Sequence, residues 1–324
     1  RRQGRGGRGI SGMGTKEEDW VEQIFLASTH DYLMFFTRCG HCYWLKVHEI
    51  PQSQRASRGK PIVNLLNIQT DQKIASLVPV REFSEDRNLI FATRKGVVKK
   101  TVLSAFGNPR SVGINAINIL EGDELIDVQL TDGSCDVVLA TREGMAIRFQ
   151  ERDVREMGRA TTGVRGISLE EDDVVIGMVV VSSSVPGELP GADGSSPASA
   201  LQRQPGTTLL VVTEKGMGKR TEIDAYRLQR RGGKGVINVR TTDKTGRVVA
   251  IKEVHPGDEL MLITRAGIVN RQAIDGIRVI GRNTQGVRLI NLDNGDSVMD
   301  VARVANEEGV SAAAREPEAE PVAG

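Results

Sequence analysis

The sequence predicts an all-β fold, in which repeats of four short strands form the blades of a six-bladed, propeller-like array. Three observations predict it. A Thr-x-x-Gly turn occurs five times and a cationic, glycine-rich loop occurs six times. Most of the steps between loops are roughly 50 residues, a period typical of propeller repeats. Helical periodicity is limited to one possible turn near residues 16–23.

The five Thr-x-x-Gly turns each stand between two strand-like runs, which is the signature of a β-hairpin. An apolar residue follows each turn glycine at a distance of ten residues, and this fixed spacing indicates one recurring structural unit. The turn glycines are Gly40, Gly96, Gly144, Gly216 and Gly267, and the apolar residues are Ile50, Phe106, Val154, Tyr226 and Ile277.

Two cationic loops fit the pattern Gln-x-Arg-Gly-Gly-(Arg/Lys)-Gly: loop 1 (residues 3–9) and loop 5 (residues 229–235). Weaker copies are loop 2 (55–59), loop 3 (108–113), loop 4 (158–163) and loop 6 (281–286). Glycine lets the backbone reach φ > 0 and approach a partner closely, and guanidinium groups beside exposed amides suit phosphate oxygens. The loops therefore predict a surface that binds phosphate groups.

Each repeat offers two further strand candidates. One follows the cationic loop, at residues 61–66, 114–119, 236–240 and 287–292, and the other follows an acidic turn, as at residues 122–126 and 257–261. The repeats begin near residues 1, 53, 107, 157, 228 and 280 and together form one domain over residues 1–305. Because there are six loops but five hairpins, we expect a sixth hairpin N-terminal to Arg1 in a longer parent chain.

Composition separates this domain from two segments that we expect to be disordered. Residues 182–206 form a Ser/Pro/Gly/Ala-rich insertion, and residues 306–324 form an Ala/Pro/Glu-rich, mildly acidic tail. The net charge is only +1, but basic residues cluster locally at residues 1–8 and 227–240. The sequence has no long apolar run, signal peptide or lipidation motif, so we expect a soluble protein without a membrane partner. Three cysteines favour a reducing compartment.

Several motifs favour ordinary structural roles over chemistry. The run from Cys39 to Cys42 lies at a hairpin turn, and no second Cys/His pair completes a tetrahedral metal site, so we expect no metal. Residues 7–12 match the dinucleotide-binding pattern G-x-G-x-x-G, but no strand precedes them, so we do not expect a dinucleotide site. Residues 232–235 resemble a phosphate loop, but Val236 follows where Ser or Thr would bind magnesium, so we do not expect a nucleotide site there either.

Basic residues also follow the hairpin glycines, on the second strand of each hairpin. Two interpretations remain open: they protect an edge strand against aggregation, or they add a row of contacts to a polyanion. These residues are Lys99, Lys100, Arg148, Lys219, Arg220 and Arg271.

These features together resemble the family of C-terminal domains from the A subunit of bacterial DNA gyrase, over about residues 1 to 305. Loop 5 matches the family's signature box residue for residue, and loop 1 matches it except at Gly4, where the family usually has a basic residue. Residues 16–19, 61–66, 161–167 and 280–287 also look like the family. The family typically has its intact box in the first blade, and the chain departs from this: a complete box lies in the fifth repeat, while the copy in the first repeat has lost one positive charge at Gly4. We hypothesise that loops 1 and 5 share the task of wrapping DNA, at two points on the rim.

The resemblance implies a six-bladed β-pinwheel whose neighbouring blades exchange strands and whose rim wraps double-stranded DNA. The parent enzyme would be a type IIA topoisomerase that introduces negative supercoils in an ATP-dependent reaction, in the bacterial cytoplasm and associated with the chromosome. Its other parts would be the N-terminal region of the gyrase A subunit and the gyrase B subunit, in an A2B2 heterotetramer that binds ATP and Mg²⁺ elsewhere. This chain would then hold no catalytic residue and no cofactor.

The residues expected to contact DNA are those of the six loops and their neighbours. They are Gln3, Arg5, Gly6, Gly7, Arg8, Gly9, Arg55, Arg58, Lys60, Arg110, Arg159, Arg165, Gln229, Arg230, Arg231, Gly232, Gly233, Lys234, Gly235 and Arg282. Two alternative functions remain: the C-terminal DNA-binding domain from the A subunit of topoisomerase IV, which usually lacks an intact box, and a protein-interaction propeller without a role in nucleic-acid binding. A stand-alone enzyme is disfavoured because no convergent acid–base or metal cluster is visible.

Overall fold

A computed structural model describes residues 10–11, 27–52, 60–69, 71–182 and 205–304. Within these residues the chain is all-β, with short 3-10 turns between some strands. The strands are β1 (Ile10–Ser11), β2 (Tyr32–Thr37), β3 (His41–Lys46), β4 (Ile74–Val80), β5 (Asn88–Thr93), β6 (Val97–Val102), β7 (Ile114–Asn115), β8 (Leu125–Thr131), β9 (Cys135–Thr141), β10 (Met145–Gln150), β11 (Val164–Arg165), β12 (Val175–Ser182), β13 (Thr208–Thr213), β14 (Met217–Glu222), β15 (Val236–Ile237), β16 (Val248–Val254), β17 (Glu259–Thr264), β18 (Ile268–Ala273), β19 (Val287–Arg288) and β20 (Val298–Val304). The 3-10 helices span Val47–Glu49, Ile62–Asn64, Leu103–Phe106, Glu151–Asp153, Ile223–Ala225 and Ile274–Gly276. No helix in these described ranges has the length and apolarity needed to cross a bilayer.

The described strands form five antiparallel sheets of four strands. From the innermost to the outermost strand, the orders are β4-β2-β3-β7, β8-β5-β6-β11, β12-β9-β10-β15, β16-β13-β14-β19 and β20-β17-β18-β1. Neighbouring innermost strands contact each other in the order β4, β8, β12, β16, β20, so the sheets follow one another as blades. The propeller-like, all-β prediction is therefore confirmed.

The predicted number of six blades is wrong, because five sheets are present in the described residues. Every sheet is built on one Thr-x-x-Gly hairpin, and the chain has five of them, whereas the prediction of six rested on the number of cationic loops. The strand predicted at residues 61–66 is also wrong, since a 3-10 helix (Ile62–Asn64) occupies it. In the other repeats this strand passes over the hairpin just before it and pairs with the one before that, as β7 passes over β5-β6 and pairs with β3. Only one described hairpin, β2-β3, precedes residues 61–66.

Neighbouring blades exchange strands, as the resemblance implies. In the first four sheets the outermost strand lies in the chain between the hairpin and the innermost strand of the next sheet: β7 pairs with β3, β11 with β6, β15 with β10 and β19 with β14. β1 pairs with β18, and so connects the start of the chain to the last sheet. Each exchanged strand is only two residues long, much shorter than the five to six residues expected from the sequence, because the chain leaves the sheet edge at once.

The Thr-x-x-Gly pattern has a local physical cause. The turn glycines have positive φ, for example +88° at Gly40 and +91° at Gly144, a conformation that strains any residue with a Cβ. The threonine hydroxyl accepts a hydrogen bond from the backbone N–H four residues later, as at Thr93 and Val97 (3.1 Å). The threonine is buried, so this bond satisfies its hydroxyl group inside the sheet.

The core lies between neighbouring sheets, with one apolar cluster for each pair. Phe36 of the first sheet, Phe91 of the second and Phe106 pack with ring centroids 5.6 to 6.2 Å apart. Of the five apolar residues that follow the turn glycines, all but Ile50 are buried. A fifth cluster covers the other face of the first sheet with Leu66 and Ile68.

A buried carboxylate joins the last sheet to the loop before it. Asp258 accepts a 2.6 Å hydrogen bond from Arg303 Nε and a 2.7 Å bond from the backbone N–H of His255. Burial raises the pKa of Asp258, but the hydrogen bonds from His255 and Arg303 outweigh it and hold the pKa at about 2. The ion pair therefore persists into strongly acidic solution.

The sequence prediction of a possible helical turn at residues 16–23 lies outside the described residues. So do the disordered tail and, apart from Ser182 and residues 205–206, the disordered insertion.

Candidate nucleic-acid interface

Four of the cationic loops lie at the outer edge of the sheets. Loops 3, 4, 5 and 6 end on Gly113, Gly163, Gly235 and Gly286, and the next residue of each begins an outermost strand. We call these four loops together with Arg165 the cationic rim. Of the other predicted residues, Gln3 to Gly9 of loop 1 and Arg55 and Arg58 of loop 2 lie outside the described residues, while Lys60 lies in an exposed coil.

The glycines of loop 5 serve the sheet to which the loop is attached. Gly235 has a φ of +81°, and a Cβ at this position would lie 2.3 Å from the carbonyl oxygen of Ala146 on β10. Gly232 has a φ of +83° and donates its N–H to the carbonyl of Gly166 at 2.6 Å. The close approach that these glycines permit is therefore an approach to the protein's own backbone.

The charged side chains of loop 5 have three different environments. Arg230 is exposed and makes no hydrogen bond or ion pair within the described part of the chain. Arg231 donates to the carbonyl oxygens of Asp153 (2.9 Å) and Arg165 (3.1 Å). Lys234 is 74% exposed and lies 2.8 Å from Glu170, and this hydrogen bond raises the pKa of Lys234.

Loop 6 repeats the arrangement of Arg231. Arg282 donates to the carbonyl oxygens of Ala225 (2.6 Å) and Ile237 (2.7 Å), and its guanidinium lies 5.9 Å from the centre of the Tyr226 ring. In both loops this arginine bridges the 3-10 helix and the exchanged strand next to it. These two cations therefore help to hold the rim together, and their side chains stay partly exposed.

Loops 3 and 4 bring two predicted arginines together. Arg110 and Arg159 line one open cleft between the loops, with backbone from Gly113 to Asn115 and from Gly158 to Thr161. Arg165 is exposed on β11, which directly follows loop 4. Of the predicted side chains of loop 5, Gln229 points inward, and its Nε2 atom is buried without a hydrogen-bond partner in the described structure.

A regular set of backbone hydrogen bonds links the loops to each other. Each bond joins two successive loops. The donor is the backbone N–H of the residue five positions after the closing glycine of one loop, and the acceptor is the backbone carbonyl of the residue two positions before the closing glycine of the next loop. The pairs are Asn118 to Thr161 (3.0 Å), Ser168 to Gly233 (2.9 Å) and Arg240 to Thr284 (3.0 Å). Sequence reasoning missed this connection, although its signal is the constant spacing on either side of the closing glycines.

The basic residues on the second hairpin strands fit neither interpretation offered by the sequence, with the exception of Arg271, which forms an exposed ion pair with Glu259. Lys99, Lys219, Arg148 and Arg220 are at most 9% exposed. They donate to carbonyl groups of the following repeat: Arg148 to Ile223 and Tyr226, and Arg220 to Ile277. Their role is to connect repeats, and they are not accessible to a polyanion.

Burial also changes the ionisation of two of these residues. Burial, together with the nearby Arg159 guanidinium, lowers the pKa of Lys99 to about 8. Burial and the Arg282 guanidinium lower the pKa of Lys219 to about 7. Both amines take part in hydrogen bonds with loop carbonyls, which favour their protonated form.

One cluster has the composition of a metal site. Asp132, Cys135 and Glu151 place a ligand atom each within 4.8 Å of one another. Glu151 already accepts hydrogen bonds from Thr131 and Gly133, and Asp132 accepts them from the backbone and side chain of the turn that it caps. Burial, followed by the charge of Asp132, raises the pKa of Cys135, which disfavours a thiolate ligand. The cluster is therefore best explained as a hydrogen-bonded turn.

Comparison with known families gives one match that covers most of the chain. A family model described as the DNA gyrase C-terminal domain, beta-propeller, matches residues 1–28, 31–81, 87–132, 136–182, 207–255 and 258–305. The first of these six segments contains no Thr-x-x-Gly hairpin, which is why six matched segments correspond to five sheets.

Curated relatives agree with this match. The DNA gyrase A subunit of Salmonella typhimurium is 42% identical over 303 residues, which cover 94% of this chain and 32% of the relative. The DNA gyrase A subunit of Deinococcus deserti is 44% identical over 311 residues, which cover 95% of this chain and 36% of the relative. The chain therefore spans only 32% to 36% of the length of these relatives.

Two solved structures are similar in fold. One, a structure of the DNA gyrase A C-terminal domain, has a TM-score of 0.75 and 24% identity, and the match covers 94% of this chain and 93% of that one. The other, the C-terminal domain of DNA topoisomerase IV, has a TM-score of 0.72 and 27% identity and covers 88% of this chain and 83% of that one.

Proposed function

This chain belongs to the DNA gyrase C-terminal domain family, and we propose that it binds double-stranded DNA along its cationic rim and wraps the duplex without reading its sequence. The observation that supports this most directly is the placement of the basic loops. Loops from four consecutive repeats lie at the same outer edge and are linked by backbone hydrogen bonds. A curved row of cations at regular intervals matches the phosphate backbone of a bent duplex.

Bending DNA is costly, and in this proposal phosphate contacts along the rim offset the cost. Smooth bending of 20–30 bp by 40–90° costs on the order of 1–6 kcal/mol. Arg110, Arg159, Arg165, Arg230 and Lys234 are each presented on the rim with an exposed or partly exposed side chain. Phosphate contacts position a duplex but carry no sequence information, so we expect binding that depends on salt and not on sequence.

We further propose that the parent protein is the A subunit of a DNA gyrase. In it, the wrap would present a crossing DNA segment for ATP-dependent strand passage and so introduce negative supercoils. Catalytic residues, ATP and Mg²⁺ would lie in the N-terminal region of the A subunit and in the B subunit of an A2B2 assembly. The complex would act in the bacterial cytoplasm on the chromosome, and this chain would supply geometry instead of a chemical step.

A topology assay tests the wrapping. The chain is incubated with relaxed circular plasmid, a type I topoisomerase relaxes the unconstrained DNA, and the linking number is read from the purified plasmid. We expect a positive shift that grows with the protein concentration. No binding at moderate salt would refute the DNA-binding proposal and favour a protein-interaction propeller.

A second candidate is the function of a topoisomerase IV C-terminal domain, which the structural similarity at 27% identity favours. The same assay separates the two. Tight binding that weakens with salt but leaves the linking number unchanged would support the topoisomerase IV function, since DNA would be bound without being wrapped.

A charge-removal pair tests the rim itself. Replacing Arg230 and Lys234 together with alanine should lower the slope of log affinity against log salt by about 1.8, at roughly 0.9 for each phosphate that is no longer neutralised. Replacing Arg94 and Lys215 with alanine removes the same charge from two hairpin turns and should change the slope little. Equal effects of the two pairs would show that the rim binds DNA no better than the rest of the surface.

A further inference from the structure

The third residue after each hairpin glycine occupies an equivalent position on the second strand of its hairpin. Its identity differs between repeats: Tyr43, Lys99, Ile147, Lys219 and Asn270. Lys99 and Lys219 are fully buried, although each carries an amino group at the end of a long side chain. A buried lysine is rare unless its charge is compensated, so these two positions need an explanation.

Lys219 is compensated by loop 6. Its Nζ donates to the carbonyl oxygens of Asn238 (2.7 Å) and Gly281 (2.8 Å) and to that of Arg282, and it contacts the hydroxyl of Thr284 at 3.3 Å. The three donors of one ammonium group thus bind three carbonyls, two of which belong to the loop.

Lys99 makes the same connection to loop 4. Its Nζ donates to the carbonyl oxygens of Ala116 (2.6 Å) and Arg159 (2.5 Å). Ala116 and Asn238 each stand three residues after a closing glycine, and Arg159 and Arg282 each stand four residues before one. The arrangement therefore recurs at equivalent positions of two repeats, which makes an accidental contact a poor explanation.

Loop 5 lacks this connection and is held in another way. Ile147 replaces the lysine, and its side chain lies against Gly233. The Ser168 hydroxyl instead binds the loop, donating to the carbonyl of Gly232 (2.7 Å), in addition to the backbone bond from Ser168 N–H to Gly233 (2.9 Å) that has equivalents at loops 4 and 6. Loop 5 is thus held by the inter-loop backbone bond and the Ser168 hydroxyl, whereas loops 4 and 6 have, in addition to the backbone bond, a lysine that fixes them from inside the sheet.

We propose that Lys99 and Lys219 are positioning residues for DNA binding, which fix the backbone of loops 4 and 6 so that Arg159 and Arg282 face the duplex. This inference rests on the proposed DNA-binding function. Each lysine binds the carbonyl of the arginine itself, so it sets the point from which that side chain extends. Neither lysine touches DNA, because both are buried.

The substitution Lys219→Ile tests the proposal, since isoleucine occupies the equivalent position in the box repeat. We expect the variant to stay folded and its salt slope to fall by about one, as it would for Arg282→Ala. The double variant Lys219→Ile/Arg282→Ala should lose no more than either single variant, because both changes remove the same contact. Lys215→Ala is the matched control, since it removes one exposed charge from the same hairpin.

Three outcomes would overturn the inference. The first is a folded Lys219→Ile protein with an unchanged salt slope, and the second is a double variant whose loss is the sum of the two single losses. The third needs no variant: hydrogen exchange of the unmodified chain should be slower in loops 4 and 6 than in loop 5, and equal rates would show that the lysines fix nothing. A salt slope near zero for the unmodified chain would instead refute the proposed function.

Discussion

The substitution Gly235→Ala tests whether the closing glycine of the box serves the sheet or the DNA. Gly235 has a φ of +81°, which costs an L-residue roughly 1–2 kcal/mol. The added Cβ would also lie 2.3 Å from the carbonyl oxygen of Ala146 and 2.7 Å from its carbon. Because both atoms are backbone, β15 must move away from β10.

The magnitude follows from what that movement breaks. β15 is held to β10 over only two residue pairs, and each backbone hydrogen bond that breaks costs about 1 kcal/mol. The strain and the broken pairing together predict a loss of about 3–4 kcal/mol. Gly267→Ala supplies the control, since Gly267 has a φ of +77° but, among the residues that the structure describes, no atom within 4 Å of the added Cβ, so it should cost only the roughly 1–2 kcal/mol of strain.

Urea unfolding followed by circular dichroism measures both variants, and the change in midpoint is compared at a common m value. The reasoning predicts that Gly235→Ala lowers the midpoint at least twice as much as Gly267→Ala. Equal shifts would refute it, because they would show that the loop can relax away from Ala146 without releasing the exchanged strand. Because Gly235 serves the sheet, we expect it to have no direct effect on DNA affinity. Any loss of affinity in Gly235→Ala should come from displacement of the Arg230 and Lys234 side chains when the loop moves.

Three further predictions follow from individual contacts. Arg231→Ala should cost about 1 kcal/mol of folding stability because two carbonyls lose their donor, whereas Arg230→Ala should leave the urea midpoint unchanged and affect only DNA binding. Glu170→Gln should strengthen DNA binding in a titration at low salt, since it frees Lys234 from a competing carboxylate. Asp258 has a folded pKa of about 2, below its unfolded value near 4, so its contribution of about 2 kcal/mol is present above pH 4 and lost as the pH falls towards 2. Asp258→Asn should remove that part of the acid dependence, measured as the difference in midpoint between about pH 5 and about pH 2.5.

The repeats could be predicted from the sequence because their signals are local. A Thr-x-x-Gly turn needs only one hydrogen bond and one positive φ, and both are visible in four residues. The number of blades could not be predicted in the same way, since the exchanged strands take their partners from another repeat. The number of cationic loops gives the number of candidate exchanged strands. A sheet forms only where a hairpin is present to pair with such a strand, so the number of hairpins sets the number of sheets.

The site was harder to predict because one residue type has several roles here. Arg230, Arg231 and Lys219 are all basic residues in or near a cationic loop, yet the first is exposed, the second bridges two carbonyls and the third is buried. The sequence shows which residues carry a positive charge. Only the structure shows which of them are already bound to carbonyl or carboxylate acceptors of the protein and which remain available to bind phosphate. The burial of Lys219 is set by Asn238 and Gly281, which lie 19 and 62 residues away.

Under the proposed function, this division of roles would let a chain with a net charge of +1 bind DNA and still form a stable array of short strands. An exchanged strand of two residues offers few backbone hydrogen bonds, so the connection between repeats depends on side chains. Arginine and lysine supply several donors each and reach carbonyls that no backbone N–H can approach. The charge that connects the repeats is therefore the same kind of charge that the rim displays. A substitution that removes a basic residue must be measured for stability as well as for affinity before its role can be assigned.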